Sequence, residues 1–292
     1  MARANNQERG SATVATLLAW FVPGAGHLYL GQLGAAVLGF VVVGGLYALG
    51  LRLSGGMTFE YLDPELRGTF SPLLSPEAGT LGGFLWQMRH YGFGTGLPRP
   101  FPETARLGSA LCGIAGVLNV TWMVSAHLYA RTGRLAASFL PARRMALAWL
   151  LPGLGHWLQG RRLRALVVFA LLVGMFVVGT WLAEATNLSR ERHFYYWAGQ
   201  FMLGLPALGA EAWLGGVRVT EHIPYVEAGL VYGCVAGLLN VLAMIDVYAW
   251  DEARELGLDP RTHEAPAAVG AAAPAEVPGP PPTPAAALGE DA

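Results

Sequence analysis

The chain has 292 residues, of which 53% are hydrophobic and 13% charged, and its net charge is −1. Soluble domains carry about 25% charged residues, so this composition points to an integral membrane protein. The balanced charge leaves no global basic footprint, and no nucleic-acid partner is expected.

Residues 1–10 read as a short cytoplasmic N-terminus. Arg3 and Arg9 precede an apolar stretch, Ala12 to Val22, in the manner of a signal peptide. The next phrase argues for a retained part instead, because it is written twice. AWFVPGAGHLYLGQ (19–32) returns as AWLLPGLGHWLQGR (148–161), where no signal peptide acts. At an offset of 129, Trp20, Pro23, Gly24, Gly26, His27 and Gly31 face Trp149, Pro152, Gly153, Gly155, His156 and Gly160. The match runs on through Ala36, Phe40, Gly45 and Gly50 to Ala165, Phe169, Gly174 and Gly179. A second block, GVLNVTWMV (116–124), returns as GLLNVLAMI (237–245) at an offset of 121. The chain therefore divides into a membrane repeat over 11–130, an Arg-rich connection over 131–144 and a second repeat over 145–250. The rest, 251–292, is rich in Pro and Ala and is expected to be a disordered cytoplasmic tail.

Four runs are long and apolar enough to span a bilayer: 33–53, 106–129, 163–183 and 225–249. Each P-G-x-G-H phrase approaches that length but holds a helix breaker at its centre. Charge decides its path. Arg131, Arg134, Arg143 and Arg144 precede the second phrase, Arg161, Arg162 and Arg164 follow it, and no Asp or Glu occurs from 104 to 183. Arg-rich loops stay cytoplasmic, so both groups belong on one side. The expected fold is all-α, with two tandem repeats, four spanning helices and two re-entrant or interfacial P-G-x-G-H segments. Both termini then face the cytoplasm of a bacterial inner membrane.

The outer loops, 54–105 and 184–224, carry mixed charge, including Glu60, Asp63, Glu65, Glu77 and Glu103. HFYYW (193–197) suits an interfacial aromatic belt. Residues 197–216 read as an outer half-helix with a more polar counterpart at 79–94. In the late helices, Gly108, Cys112 and Gly116 match Gly229, Gly233 and Gly237, with Asn119 and Asn240 on the same faces. Spacing of four permits close packing, so these two helices are expected to form a seam between the repeats, with the two Asn near each other. Cys112 and Cys234 lie in apolar runs and read as buried thiols rather than a disulfide.

His27 and His156 stand beside the broken backbone. Their expected role is to satisfy carbonyls freed by Pro23 and Pro152. A metal or haem site using these two, with His127 and Asp246 at similar depth, is the alternative; no short metal-type spacing supports it, and no cofactor is expected. Glu191 with His193, and Glu221 with His222, read as solvated loop pairs. GFGTG (92–96) lacks the context of a phosphate loop. Arg161, Arg162 and Arg164 would attract anionic lipid headgroups as well as orient the chain.

PGAGHLYLGQ followed by a long helix resembles the two-transmembrane-helix domain of many small bacterial and animal membrane proteins. Gly24, Gly26, His27, Tyr29 and Gly31 carry the likeness, and the second copy has Leu158 in place of the Tyr. The whole chain, with GQFMLGLPAL (199–208) and AGLLNVLAMIDVYAW (236–250), looks like uncharacterised bacterial polytopic proteins with a duplicated P-G-x-G-H unit. That resemblance implies a membrane location and no settled activity. Three roles follow: a non-enzymatic scaffold or partner-binding subunit among lipids and other membrane proteins, a small transporter or lipid-handling protein with a path between the repeats, or a metal or haem protein.

Overall fold

The computed structural model describes residues 10–61, 71–93, 100–215 and 223–262. The calls on Arg3, Arg9, Asp63, Glu65, Glu221 and His222, most of GFGTG and the tail beyond 262 lie outside them. All regular structure among the described residues is helical. Four helices are long and apolar enough to cross a membrane: α3 (Leu33–Ser54), α5 (Ala105–Thr132), α8 (Arg162–Leu182) and α11 (Val226–Glu255). The shortest has 21 residues, roughly 30 Å of rise, which matches a hydrocarbon core. Their outward faces are apolar and bare: Val41 on α3, Trp181 on α8 and Leu242 on α11 are at least 61% exposed. Such a belt is costly in water and at home in lipid.

The duplicated phrases are not rods. α1 (Ala12–Phe21) stops before Pro23, which has no N–H to extend the ladder. Gly24 turns the chain at φ +84°, and a Cβ there would run into the Ala36 carbonyl. α2 (Ala25–Tyr29) then folds back along α1. Gly26 presses on the Ala15 carbonyl and Ala19, and the Tyr29 hydroxyl accepts a bond from the Ser11 N–H at 3.2 Å. The end of α2 thus returns to the start of α1. Gly31, at φ +76°, launches α3.

The second copy repeats these moves with α6 (Leu135–Leu150) and α7 (Leu154–Leu158). Gly153 turns at φ +83° against the Ala165 carbonyl, and Arg144 Nη2 donates to the Leu158 carbonyl at 3.3 Å. Gly160, at φ +80°, launches α8. Because α6 starts at Leu135, the connection over 131–144 is mostly helix rather than loop. It comprises the end of α5, a turn at Gly133 (φ +69°) and the first half of α6.

The glycine stripes corrected a sequence expectation. They pack within each repeat, not between the repeats. A Cβ on Gly108 would lie 2.6 Å from the Gly50 carbonyl of α3, and one on Gly179 of α8 would lie 2.8 Å from the Gly229 carbonyl of α11. Small residues let any backbone approach; spacing reveals the face and is silent on the partner. Between the repeats stands α6, which packs against both α5 and α11. With α9 (Arg190–Phe201) it forms an apolar core of Val117, Met145, Trp149, Trp197, Phe201 and Met244.

The outer segments also depart from expectation. Residues 197–216 are not one half-helix: α9 ends at Phe201, Gly204 turns at φ +74°, and α10 (Leu205–Leu214) follows. The HFYYW stretch lies inside α9 with Phe194 and Trp197 buried, because both join cores. The first repeat uses a 3₁₀ turn, Pro76–Gly79, and α4 (Leu81–His90).

Polar bonds place the helix ends. Gln32, before α3, donates to Tyr129 near the end of α5. Arg164, at the start of α8, pairs with Asp246 of α11 at 2.9 Å. Arg134 reaches Glu255 at the end of α11 at 2.7 Å. The starts of α3 and α8 and the ends of α5 and α11 therefore share one face of the bundle.

Candidate functional site

Each phrase is closed by a clasp built from the same residue types. Pro23 leaves the Ala19 carbonyl, four residues earlier, without its helical donor. Asn119 of α5 supplies one: its Nδ2 donates to Ala19 at 2.9 Å and to the Gly79 carbonyl at 2.9 Å. Trp20 adds a bond from Nε1 to the Ala78 carbonyl at 2.8 Å. In the second repeat Asn240 donates to Ala148, four residues before Pro152, at 3.3 Å and to Met202 at 2.9 Å. Trp149 Nε1 donates to Phe201 at 3.2 Å. One amide thus ties the broken helix, the outer segment and the late helix together. Gly116 and Gly237 admit the outer segment; a Cβ on them would meet the Pro76 and Gly199 carbonyls.

Two expectations change accordingly. Asn119 and Asn240 do not pair with each other, since each is spent inside its own repeat. The freed carbonyls are satisfied by the Asn side chains, not by the histidines. His lies on the returning α2 or α7, while the freed carbonyl faces the late helix.

His27 is fully buried, stacked on Phe139 with centroids 5.6 Å apart, and its Nε2 lies 3.3 Å from Ser125 Oγ. Ser125 continues to Ser138 at 3.2 Å. Burial lowers the His27 pKa to about 4, so the ring is neutral near pH 7. His156 Nε2 lies 3.0 Å from Asp246 Oδ2. Burial lowers its pKa too, against the opposing pull of the Asp246 bond.

Ser125 and Asp246 are equivalent at the 121 offset, as are Tyr129 and Trp250; Gln32 and Arg161 match at 129. The first repeat pairs His27 with Ser125 and Gln32 with Tyr129. The second pairs His156 with Asp246 and sets the Arg161 guanidinium 4.3 Å over the Trp250 ring. The positions are kept while the chemistry changes from neutral to charged. Arg161 and Arg164 both close on Asp246, at 2.8 and 2.9 Å. The three arginines therefore do not form one free basic patch. Arg162 stands apart, 5.7 Å from the Trp157 ring.

Of the four metal candidates, His156 and Asp246 meet, and His27 and His127 take other partners. His127 pairs with Glu252 at 3.6 Å, apart from the bonds of His27 and His156. Among the described residues no three His, Cys, Asp or Glu side chains gather as ligands. Cys112 and Cys234 are free thiols. Glu191 takes Arg106 as partner at 3.1 Å.

Sequence reasoning missed the buried Arg190–Glu211 pair. It is bidentate at 2.6 and 2.9 Å, with Arg190 4.0 Å over the Trp197 ring and donating to the Arg106 carbonyl at 2.8 Å. Apolar context around Glu211 was its only signal. Chemically, these groups fasten backbone and neutralise one another; the one hydroxyl beside an imidazole in the clasps, Ser125 at His27, is fully buried with it.

A family model described as "Family of unknown function (DUF6677)" matches the chain twice, over residues 14–136 and 143–259. No curated protein and no solved structure matches it.

Proposed function

This chain belongs to the DUF6677 family of unknown function, and we propose that it is a non-enzymatic membrane scaffold or partner-binding subunit. In this reading it sits in a bacterial inner membrane with both termini cytoplasmic. The P-G-x-G-H phrases enter from the cytoplasmic face and return to it. The return of Tyr29 to Ser11 supports this path, as does the shared face of Arg131, Arg134 and Arg164. Lipids are its surroundings, and other membrane proteins are its partners.

One observation carries the reading: the space between the repeats is a packed apolar core of large side chains. A transporter would need a polar, openable path there. The repeats instead meet through Trp149, Trp197 and Phe201, with an outer satellite in which Phe59 packs on Phe194 at 6.4 Å. Lipid handling has one observation in its favour, an apolar groove of about 630 Å³ beside Phe21, Phe40, Tyr47 and Trp86.

The test is a seam-accessibility scan. Single cysteines replace Met145 and Met244 in a variant lacking Cys112 and Cys234, in intact membranes. A scaffold keeps both closed to water-soluble maleimide, and photo-crosslinkers at exposed Trp181 and Trp213 give discrete protein adducts. Rapid labelling of both seam cysteines would establish a water path and overturn the reading.

A further inference from the structure

The outer segment of the first repeat buries a carboxylate that forms no ion pair among the described residues. Glu77 is fully buried, and neither of its oxygens has a hydrogen-bond partner. It follows Pro76, whose carbonyl abuts Gly116 of α5, just as Gly199 abuts Gly237. Glu77 is therefore the counterpart of Gln200. In the second repeat this position is satisfied: Gln200 Nε2 donates to the Asn187 and Tyr196 carbonyls at 3.0 and 3.2 Å, and its Oε1 accepts from Asn187 Nδ2 at 2.7 Å. The first repeat places a carboxyl group in the same niche, with Ser75 and its own backbone close enough to act on it but no partner in hydrogen-bond geometry.

The niche is polar on several sides. Glu77 acts electrostatically on Tyr47 of α3 and Cys112 of α5. The Tyr47 hydroxyl donates to Gln87 Oε1 at 2.7 Å, while Gln87 Nε2 is buried and unpartnered. Ser75, two residues before Glu77, and Ser109, one turn before Cys112, are also buried with unpartnered hydroxyls. The basic group that acts on Glu77 is Arg190, whose guanidinium is already committed to Glu211, Trp197 and the Arg106 carbonyl.

We propose that this niche binds a monovalent cation of sodium's size, with Glu77 supplying the charge and Ser75 and Ser109 supplying neutral oxygens. An uncompensated buried carboxylate is strongly unfavourable. Each unpartnered buried hydroxyl adds to that cost. Protonation removes the charge; a bound cation balances it and also takes neutral hydroxyl oxygens as ligands. A single carboxylate balances one charge, whereas divalent sites gather more carboxylates. The cation would fasten Pro76–Gly79 to α5 next to the bonds from Trp20 and Asn119, making the first clasp ion-dependent while the second, with Gln200, is not.

The test uses the full chain in detergent, followed by tryptophan fluorescence on heating, in sodium, potassium or choline chloride at constant ionic strength. Sodium is expected to raise the midpoint saturably and more than the other two. Glu77→Gln, which installs the second repeat's residue, should abolish that response and raise the sodium-free midpoint. Identical wild-type midpoints in all three salts would overturn the proposal, as would a midpoint that follows pH and ignores sodium. If Glu77→Gln does not fold, Ser109→Ala and direct radiosodium binding decide. A loss of about tenfold in sodium affinity supports the site, and an unchanged affinity removes it.

Discussion

Asn119 Nδ2 sits 2.9 Å from the carbonyl of Ala19, the oxygen that Pro23 deprives of its helical donor. Asn240 holds the same relation to Ala148 and Pro152 at 3.3 Å. In a bilayer no water competes for such a carbonyl. Asn119→Ala and Asn240→Ala should each destabilise by about 1–3 kcal/mol, the cost of stranding buried acceptors. The two clasps share no partner, so the losses should add in the double variant. Thermal unfolding in detergent measures this. A double variant no worse than either single would show that the clasps are one coupled unit.

Glycine positions in the phrases divide into two kinds. Gly24 and Gly153 combine φ near +84° with a neighbouring carbonyl where a Cβ would go. Gly31 and Gly160 have positive φ and open space. Gly31→Ala and Gly160→Ala should cost about 1–2 kcal/mol, the left-handed penalty alone. Gly24→Ala and Gly153→Ala should cost distinctly more and reduce folded yield in membranes. Equal effects at all four positions would mean that the return of α2 and α7 is looser than described.

The two repeats solve the same contact with different charges, which makes residue transplants informative. Asp246→Ser alone leaves Arg161 without its carboxylate, and Arg161→Gln alone leaves Asp246 with one arginine fewer. Together they import the Ser125 and Gln32 chemistry of the first repeat. The double variant should be more stable than the sum of the single losses predicts, by about 1 kcal/mol. Strict additivity would show that the positions are not coupled.

Much of this arrangement was legible in residue order. The four spans lie within a few residues of their expected places, because about 20 apolar residues are a strong signal; α11 alone runs on, to Glu255. The break at P-G-x-G-H was legible because proline and glycine act locally. Partner choice was not. Periodicity placed Gly108 and Gly116 on one face, yet α3 and the Pro76–Gly79 turn occupy it instead of α11. That turn is short and partly polar, so nothing announced that it enters the bundle. Glu77 read as one of the mixed outer-loop charges for the same reason; its alignment with Gln200, through Gly116 and Gly237, marks it as internal. The bond from Asn119 to Ala19 spans 100 residues, and no local pattern encodes such a pairing.

The central claim is that each P-G-x-G-H phrase leaves the membrane on the side from which it enters. Single cysteines at Ser11 and Gly34 bracket the first phrase, and cysteines at Ala136 and Arg162 bracket the second; all four positions are exposed. Labelling with an impermeant maleimide in inside-out and right-side-out vesicles tests the claim directly. All four should label from the cytoplasmic side only. Opposite-side labelling of Ser11→Cys and Gly34→Cys, or of the second pair, would contradict the account.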